Sequence, residues 1–306
     1  MTTPNPLEQF SDQLAALASA AGEAVVLVNG RERLPASGIV ISGTQVLTAN
    51  HVLERSEDLS IRLSGGQAYP AAIAGRDPRT DLALLTVEGS LPPAAAPANA
   101  RVGELALLLG RPDTSGIQAS LGIVAGTLTL AWGGHRRRRE SRPAAEQYLR
   151  VDGTSYPGFS GGPLVNMSGG ILGINTSGLM QGAAIALPFA RASEIAAQLG
   201  EHGSVRRGYL GIRSQQVELT MPQQARLARQ QASGLLLVWL EEGSPAAQAG
   251  LLVGDIIVGL GGEPVADHTD LQHALLGEAV GTATPAEILR GGEPMTVEVT
   301  IGHRAD

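Results

Sequence analysis

A single serine, Ser160, lies in the run YPGFSGGPLV, residues 156 to 165, among three glycines and two prolines. A backbone of that composition reaches shapes closed to most residues, which suits either an exposed nucleophile or the tip of a tight turn. Serine is a weak nucleophile on its own and needs a neighbouring base, itself oriented by a third group. Of the six histidines, His51 in QVLTANHVL stands where an apolar run gives way to a turn, a place where scaffolds present working residues. Those at 135, 202, 268, 273 and 303 lie in polar loop, linker or helix contexts. In DPRTDLALLTV, Asp81 directly precedes an apolar run, so a partly buried carboxylate there can fix the tautomer of His51 and stabilise its protonated form. Asp77 precedes Pro78 and reads as a turn residue. Each residue alone has an ordinary structural reading; together they form the set that acyl transfer requires.

These residues need strands to hold them. Leu7, Phe10, Leu14 and Leu17 recur at helical spacing, which predicts a short amphipathic helix at the start. Between 24 and 187 come short β-like runs, among them AVVLV, SGIVIS, QVLTA, DLALLTV, ELALLL and AAIALP, closed by Gly, Pro, Asn or Asp, and this density predicts a sandwich or barrel. FARASEIAAQLGEHG then predicts a helix. After SVRRGYLGI a second unit begins, with strands GLLLVWL, DIIVGL and MTVEVTI and helices near 221–231 and 268–279. The length of 306 residues agrees with two domains.

Composition removes several functions. The net charge of -7 argues against a general nucleic-acid binder, which needs a basic surface to displace counterions. There is no lysine, so lysine chemistry is excluded, and with no cysteine there is no disulfide, thiol nucleophile or cysteine metal site. No nucleotide site, metal cluster or cofactor is expected. No segment has the roughly 20 apolar residues of a membrane helix, and the N-terminus lacks the early positive charges and unbroken apolar core of a signal peptide. HRRRRESR at 135–142 reads as a solvated or regulatory surface loop, with a salt-sensitive acidic partner as the alternative. Asn166-Met167-Ser168 formally matches a glycosylation acceptor and carries little weight.

The segments VLTANHVL, DPRTDLALL and GFSGGPLVN, in the order His, Asp, Ser, resemble the chymotrypsin-like serine proteases and specifically the HtrA (DegP-like) members. GGILGINTSG, AIALPFARASEIAAQL and EHGSVRRGYLGI extend the resemblance into a PDZ domain. It implies a mainly β protein, with a chymotrypsin-like double β-barrel followed by a small α+β PDZ domain. The expected divisions are an N-terminal helix at 1–22, the protease domain at 23–200 and the PDZ domain at 207–304.

By this resemblance Ser160 is the nucleophile, His51 the general base and Asp81 its orienter, while the N–H groups of Gly158 and Ser160 form the oxyanion hole. Thr154, six residues before the nucleophile, falls at the base of the pocket for the residue preceding the scissile bond. No acid stands there, and Ser177, Gly178 and Leu179 follow the GINT run, so small or medium aliphatic side chains are expected. Thr176 is expected to bond Asp81 or to be an ordinary strand threonine. Phe159 replaces an Asn common in relatives and SYPG replaces their NPG or NRG, which opens the possibility of a collapsed oxyanion loop at rest.

Tyr209, Leu210, Gly211 and Ile212 resemble the PDZ loop that receives a C-terminal carboxylate, with Leu271, Ala274 and Leu275 on the opposite groove wall. The implied function is an ATP-independent endopeptidase of protein quality control that degrades unfolded or damaged polypeptides, binds C-terminal peptides and assembles as a homotrimer; Phe10, Leu14 and Leu17 have two equal readings, as trimer contacts or as packing of the helix within the chain. A peptide-binding chaperone or scaffold with weak or latent proteolysis is the alternative, and a regulatory protease cutting one partner is a third reading. Family members are typically periplasmic or envelope-associated in bacteria, and the compartment of this chain stays open.

Overall fold

The computed structural model describes residues 5–92, 96–131, 145–180, 182–205, 207–275 and 280–303. The arginine-rich run 135–142 and the far end of the helix expected at 268–279 lie outside them. The chain forms two compact units, one running to Leu130 and resuming from Gln147 to Val205, the other holding the residues from Arg207 onward.

The first unit opens with α1 (Pro6–Gly22), whose start is capped by Asn5: its side chain accepts from the Leu7 N–H at 3.1 Å, and proline occupies the first turn. The strands β1 (Val25–Asn29), β2 (Ala36–Ser42), β3 (Gln45–Ala49), β4 (Leu59–Arg62), β5 (Ala68–Asp77) and β6 (Leu82–Val87) close into a barrel in the order β1-β2-β3-β6-β5-β4. A second barrel joins β7 (Leu105–Gly110), β8 (Gln118–Ala131), β9 (Ala145–Asp152), β10 (Pro163–Asn166), β11 (Ile171–Thr176) and β12 (Ala184–Pro188) in the order β10-β11-β12-β9-β8-β7. Closure leaves no sheet edge unpaired. It also explains why β6 and β11 read as apolar runs rather than alternating ones, since almost every residue in them is buried. Helix α2 (Phe189–His202) buries Phe189, Ala192, Ile195, Ala196 and Leu199, one face of the helix, and packs on β5, β6 and β11.

The second unit is an antiparallel sheet with short helices. Strands β14 (Ile212–Glu218), β15 (Ser233–Leu240), β16 (Ile256–Leu260), β18 (Ala283–Arg290) and β19 (Glu293–Thr300) pair in that order, β17 (Glu263–Pro264) adds to β16, and β13 (Gly208–Tyr209) pairs with β20 (Gly302–His303). Leu235, Leu237, Ile257, Ile288, Val299 and Leu271 form its core, the last from α5 (His268–Ala274). The helix expected over 221–231 is shorter: α3 (Met221–Arg226) stops because Leu227 turns extended and packs against Leu219, Val258 and Leu289. Arg229 is meanwhile drawn to Glu287 at 2.5 Å and to Gln231 at 2.8 Å. A short helix, α4 (Pro245–Gln248), is capped by Ser244, whose hydroxyl accepts from the Ala247 N–H at 3.3 Å.

Candidate active site

The ladder between β3 and β6 brings His51 and Asp81 together. Ala49 pairs with Leu82, so the chain leaving β3 and the chain entering β6 lie side by side. His51 follows in a 3-10 turn, Asn50–Val52, while Asp81 comes directly before Leu82. The Asn50 N–H donates to the Asp81 carbonyl at 2.9 Å, the His51 N–H donates to Asp81 Oδ1 at 2.8 Å, and His51 Nδ1 lies 2.6 Å from Asp81 Oδ2. Asp81 has φ +60°, a left-handed conformation that aspartate tolerates better than most side chains. No hydrogen bond joins Asp77 to His51 among the described residues. Asp77 is buried and builds the turn before Asp81, accepting from Thr80 Oγ1 at 2.5 Å and from the Arg79 N–H at 3.3 Å.

Thr176, the last residue of β11, donates its hydroxyl to Asp81 Oδ2, so three donors converge on one carboxylate that is 4% exposed. Gly178 covers the pair closely: a Cβ there would stand 2.6 Å from His51 Nδ1 and 2.8 Å from Asp81 Oδ2. Arg76, on β5, holds the segment carrying His51 from behind, donating to the carbonyls of Leu53 at 2.9 Å and Arg55 at 3.2 Å and to Asn50 Oδ1 at 3.3 Å. Burial lowers the pKa of that guanidinium from its ordinary value. Nothing in the sequence pattern set Arg76 apart.

Ser160 lies in the loop between β9 and β10. Pro157 and Gly158 are the central residues of a turn closed by the Phe159 N–H on the Tyr156 carbonyl at 3.0 Å, and Gly158 has φ +87°. That is the type II arrangement, which favours proline then glycine in those positions. The Gly162 N–H bonds the Phe159 carbonyl at 2.9 Å and the Gly161 N–H bonds Asn175 at 2.8 Å, while the N–H groups of Gly158 and Ser160 have no acceptor among the described residues. Two unspent donors two residues apart can receive a developing oxyanion. Phe159 points into the barrel core, fully buried, edge-on to Tyr156 at 5.5 Å. The Ser160 hydroxyl lies 2.9 Å from Ser177 Oγ, and no hydrogen bond joins it to His51 among the described residues.

The expected pocket residues are less closely gathered. Ser177 and Gly178 are exposed beside Ser160 and His51, with the Gly178 N–H donating to Thr176 Oγ1 at 3.2 Å, and Leu179 is half-buried. Thr154 is exposed, its N–H bonded to Ser120 Oγ at 3.2 Å, and no hydrogen bond ties it to residues 177–179 among the described residues.

In the second unit, Leu210 is buried in the core while its carbonyl accepts from the Ala246 N–H at 3.0 Å, and the Gly211 carbonyl accepts from Glu241 at 2.8 Å. The N–H groups of Leu210 and Gly211 have no acceptor among the described residues. The Tyr209 hydroxyl bonds Glu241. Ile212 begins β14, the edge strand of the sheet, and packs with Leu275 against the core that contains Leu271. His268, at the start of α5, reaches across to β14: its Nε2 lies 3.1 Å from both the hydroxyl and the carbonyl of Ser214. No cluster of metal-ligating side chains occurs among the described residues.

Comparison with known proteins agrees with this architecture. A trypsin-like peptidase domain matches residues 36–174 and a PDZ domain matches residues 208–301. The probable periplasmic serine endoprotease DegP-like of Pseudomonas putida (strain W619) is 34% identical over 279 residues, covering 88% of this chain and 56% of that protein. The periplasmic pH-dependent serine endoprotease DegQ of Escherichia coli (strain K12) is 33% identical over 276 residues, covering 87% and 58%. The chain therefore spans a little over half the length of these relatives. Among solved structures, the HtrA-type protease AlgW with decapeptide is 26% identical with a TM-score of 0.75, covering 95% of this chain and 99% of that one. With two six-stranded barrels, a PDZ unit after them and relatives of this kind along almost its whole length, the chain belongs to the HtrA (DegP-like) family of serine proteases.

Proposed function

We propose that the chain is an ATP-independent serine endopeptidase that cleaves unfolded or damaged polypeptides, with Ser160, His51 and Asp81 as its triad. One observation carries this assignment: the 2.6 Å His51–Asp81 contact lies beside a serine whose loop leaves two N–H groups unspent. On substrate binding the Ser160 hydroxyl turns from Ser177 toward His51 Nε2. Its oxygen adds to the scissile carbonyl while His51 takes the proton, and the tetrahedral oxyanion is received by the N–H groups of Gly158 and Ser160. Asp81 fixes the tautomer that leaves Nε2 free to accept and balances the imidazolium that forms. Collapse of the intermediate expels the amine, to which His51 returns the proton, and water repeats the sequence on the acyl-enzyme to release the second product.

The exposed rim formed by Ser177, Gly178 and Leu179, with Thr154 and no acidic residue at the expected pocket base, fits small or medium aliphatic side chains before the cleaved bond. The unspent N–H groups of Leu210 and Gly211 fit a C-terminal carboxylate, with the peptide adding as a strand to β14 and its side chains resting toward Ile212, Leu271 and Leu275. Assembly as a homotrimer through α1 is part of the same proposal.

The Ser160–Ser177 contact favours a second reading, in which turnover is latent and peptide binding dominates. Degradation of unfolded casein by the wild type and Ser160→Ala, with and without a hydrophobic C-terminal peptide, separates the two. Cleavage that disappears with Ser160→Ala supports the protease, and stimulation by peptide links the PDZ unit to its control. Two folded proteins that leave casein intact under both conditions would refute the protease reading.

A further inference from the structure

The loop carrying Ser160 is held by a residue of the first barrel. Ser37, the second residue of β2, is fully buried, and every polar group it has is engaged. Its N–H donates to the Ser160 carbonyl at 3.1 Å, and its carbonyl accepts from Thr48 Oγ1 at 2.7 Å. Its hydroxyl sits between the Arg111 N–H and the Gly158 carbonyl, each at 2.7 Å. The direction of this relay is forced: an amide N–H can only donate, so the Ser37 oxygen accepts from Arg111 and its one proton goes to Gly158. Arg111 is itself fixed, its side chain bonding the carbonyls of Val25 at 2.8 Å and Gly22 at 3.0 Å.

The carbonyls on either side of Phe159–Ser160 are thus both drawn to Ser37. The peptide plane between them is tied by the Gly162 N–H to the Phe159 carbonyl at 2.9 Å. Turning over the Gly158–Phe159 peptide plane would strand the buried Ser37 hydroxyl proton without an acceptor, which proteins avoid.

We propose that the Ser37 hydroxyl is a positioning residue: by anchoring the Gly158–Phe159 peptide plane, which lies between the planes carrying the Gly158 and Ser160 N–H groups, it holds that pair in its oxyanion-receiving arrangement, an inference that rests on Ser160 being the nucleophile. Ser37 touches neither substrate nor the reacting atoms. Its effect therefore belongs to the charged intermediate rather than to substrate binding.

The test uses the full chain as wild type, Ser160→Ala, Ser37→Ala, Ser37→Thr and Ile61→Ala, the last a cavity in the same barrel on β4. Hydrolysis of a peptide with an aliphatic residue before the cleaved bond gives kcat and KM, thermal unfolding gives stability, and inhibition by the matching peptide aldehyde reports the tetrahedral adduct. Ser37→Ala is expected to lower kcat roughly 10- to 100-fold, with KM within about twofold of wild type and aldehyde affinity falling in parallel with kcat. Ser37→Thr restores most of the loss, and Ile61→Ala loses stability while keeping kcat.

A folded Ser37→Ala with wild-type kcat overturns the proposal, as does a loss matched by Ile61→Ala at equal stability or a folded Ser37→Thr that restores nothing. If Ser37→Ala does not fold, Ser37→Cys, a weaker donor, replaces it: an intermediate kcat supports the relay and an unchanged one refutes it. Wild-type hydrolysis no faster than Ser160→Ala would instead remove the nucleophile assignment beneath it.

Discussion

At the site, Gly178 has its place because any side chain would collide with the pair it covers. The nearest approach, 2.6 Å to His51 Nδ1, is far inside van der Waals contact, and the residue is exposed, so a methyl group can displace the imidazole without disturbing the core. Gly178→Ala is expected to cost about 100-fold in kcat/KM, the order associated with a misplacement of about 1 Å, with a thermal midpoint close to wild type. Steady-state kinetics beside a melting curve check both halves; an active variant would mean that the loop yields and the imidazole does not. Thr176→Val keeps the shape and removes one of the three donors on Asp81. Hydrogen bonds to charged groups contribute about 1.5–3 kcal/mol, so a loss of roughly 10- to 100-fold in kcat/KM is expected, less than for Ser160→Ala. Equal activity of Thr176→Val and wild type would reduce Thr176 to an ordinary strand residue.

The elements show which parts of this arrangement a sequence can reveal. QVLTA and DLALLTV are legible as strands because each is apolar and closed by a polar turn, and His51 and Asp81 stand out at their ends. That β3, already paired with β2, takes β6 rather than β4 as its second partner is not legible, since periodicity gives a strand its faces and not its partner. Ser37 is hidden for the same reason: in SGIVIS it looks like a strand's polar border, and only the approach of the second barrel makes its hydroxyl a relay. The helix expected through residue 231 failed because local propensity could not anticipate the cluster that captures Leu227. Arg76 belongs to this level too, joining β5 to the segment after β3. Arg76→Met keeps much of the stem but leaves the carbonyls of Leu53 and Arg55 without their donor. A loss of about 1–2 kcal/mol of stability, measured by denaturant unfolding, is expected together with a fall in kcat; wild-type values for both would leave the His51 segment held by its own backbone bonds.

At the scale of the whole molecule, two features lie outside the proposed triad. On α1, Leu7 is 77% exposed and Phe10 41%, so replacing both with glutamate removes little from the fold of one chain. Proposed assembly through this helix predicts that the double variant keeps its melting behaviour and loses the trimer by light scattering; an unchanged mass would move the contact elsewhere. The two units also have separate cores, so heat or acid is expected to unfold them in two steps. In the second unit, burial alone would raise the pKa of Asp255, but the two bonds from Arg290 at 2.8 and 2.7 Å, the Leu252 N–H at 2.8 Å and the charge of Arg290 outweigh it, and the net shift is downward. A carboxyl whose folded pKa lies below its unfolded value of about 3.9 contributes its full stability above that value and loses it as pH falls through the folded pKa. Asp255→Asn is therefore expected to destabilise the second unit at neutral pH and to flatten its acid limb below about pH 4, leaving the first unit's transition in place. Because the turn from Leu251 to Asp255 connects through Ala246 to the Leu210 carbonyl, affinity for a C-terminal peptide should fall in the same variant. Following each transition by calorimetry from pH 7 down to pH 3 decides the matter: an acid limb as steep in Asp255→Asn as in wild type would assign the pH dependence to other carboxylates.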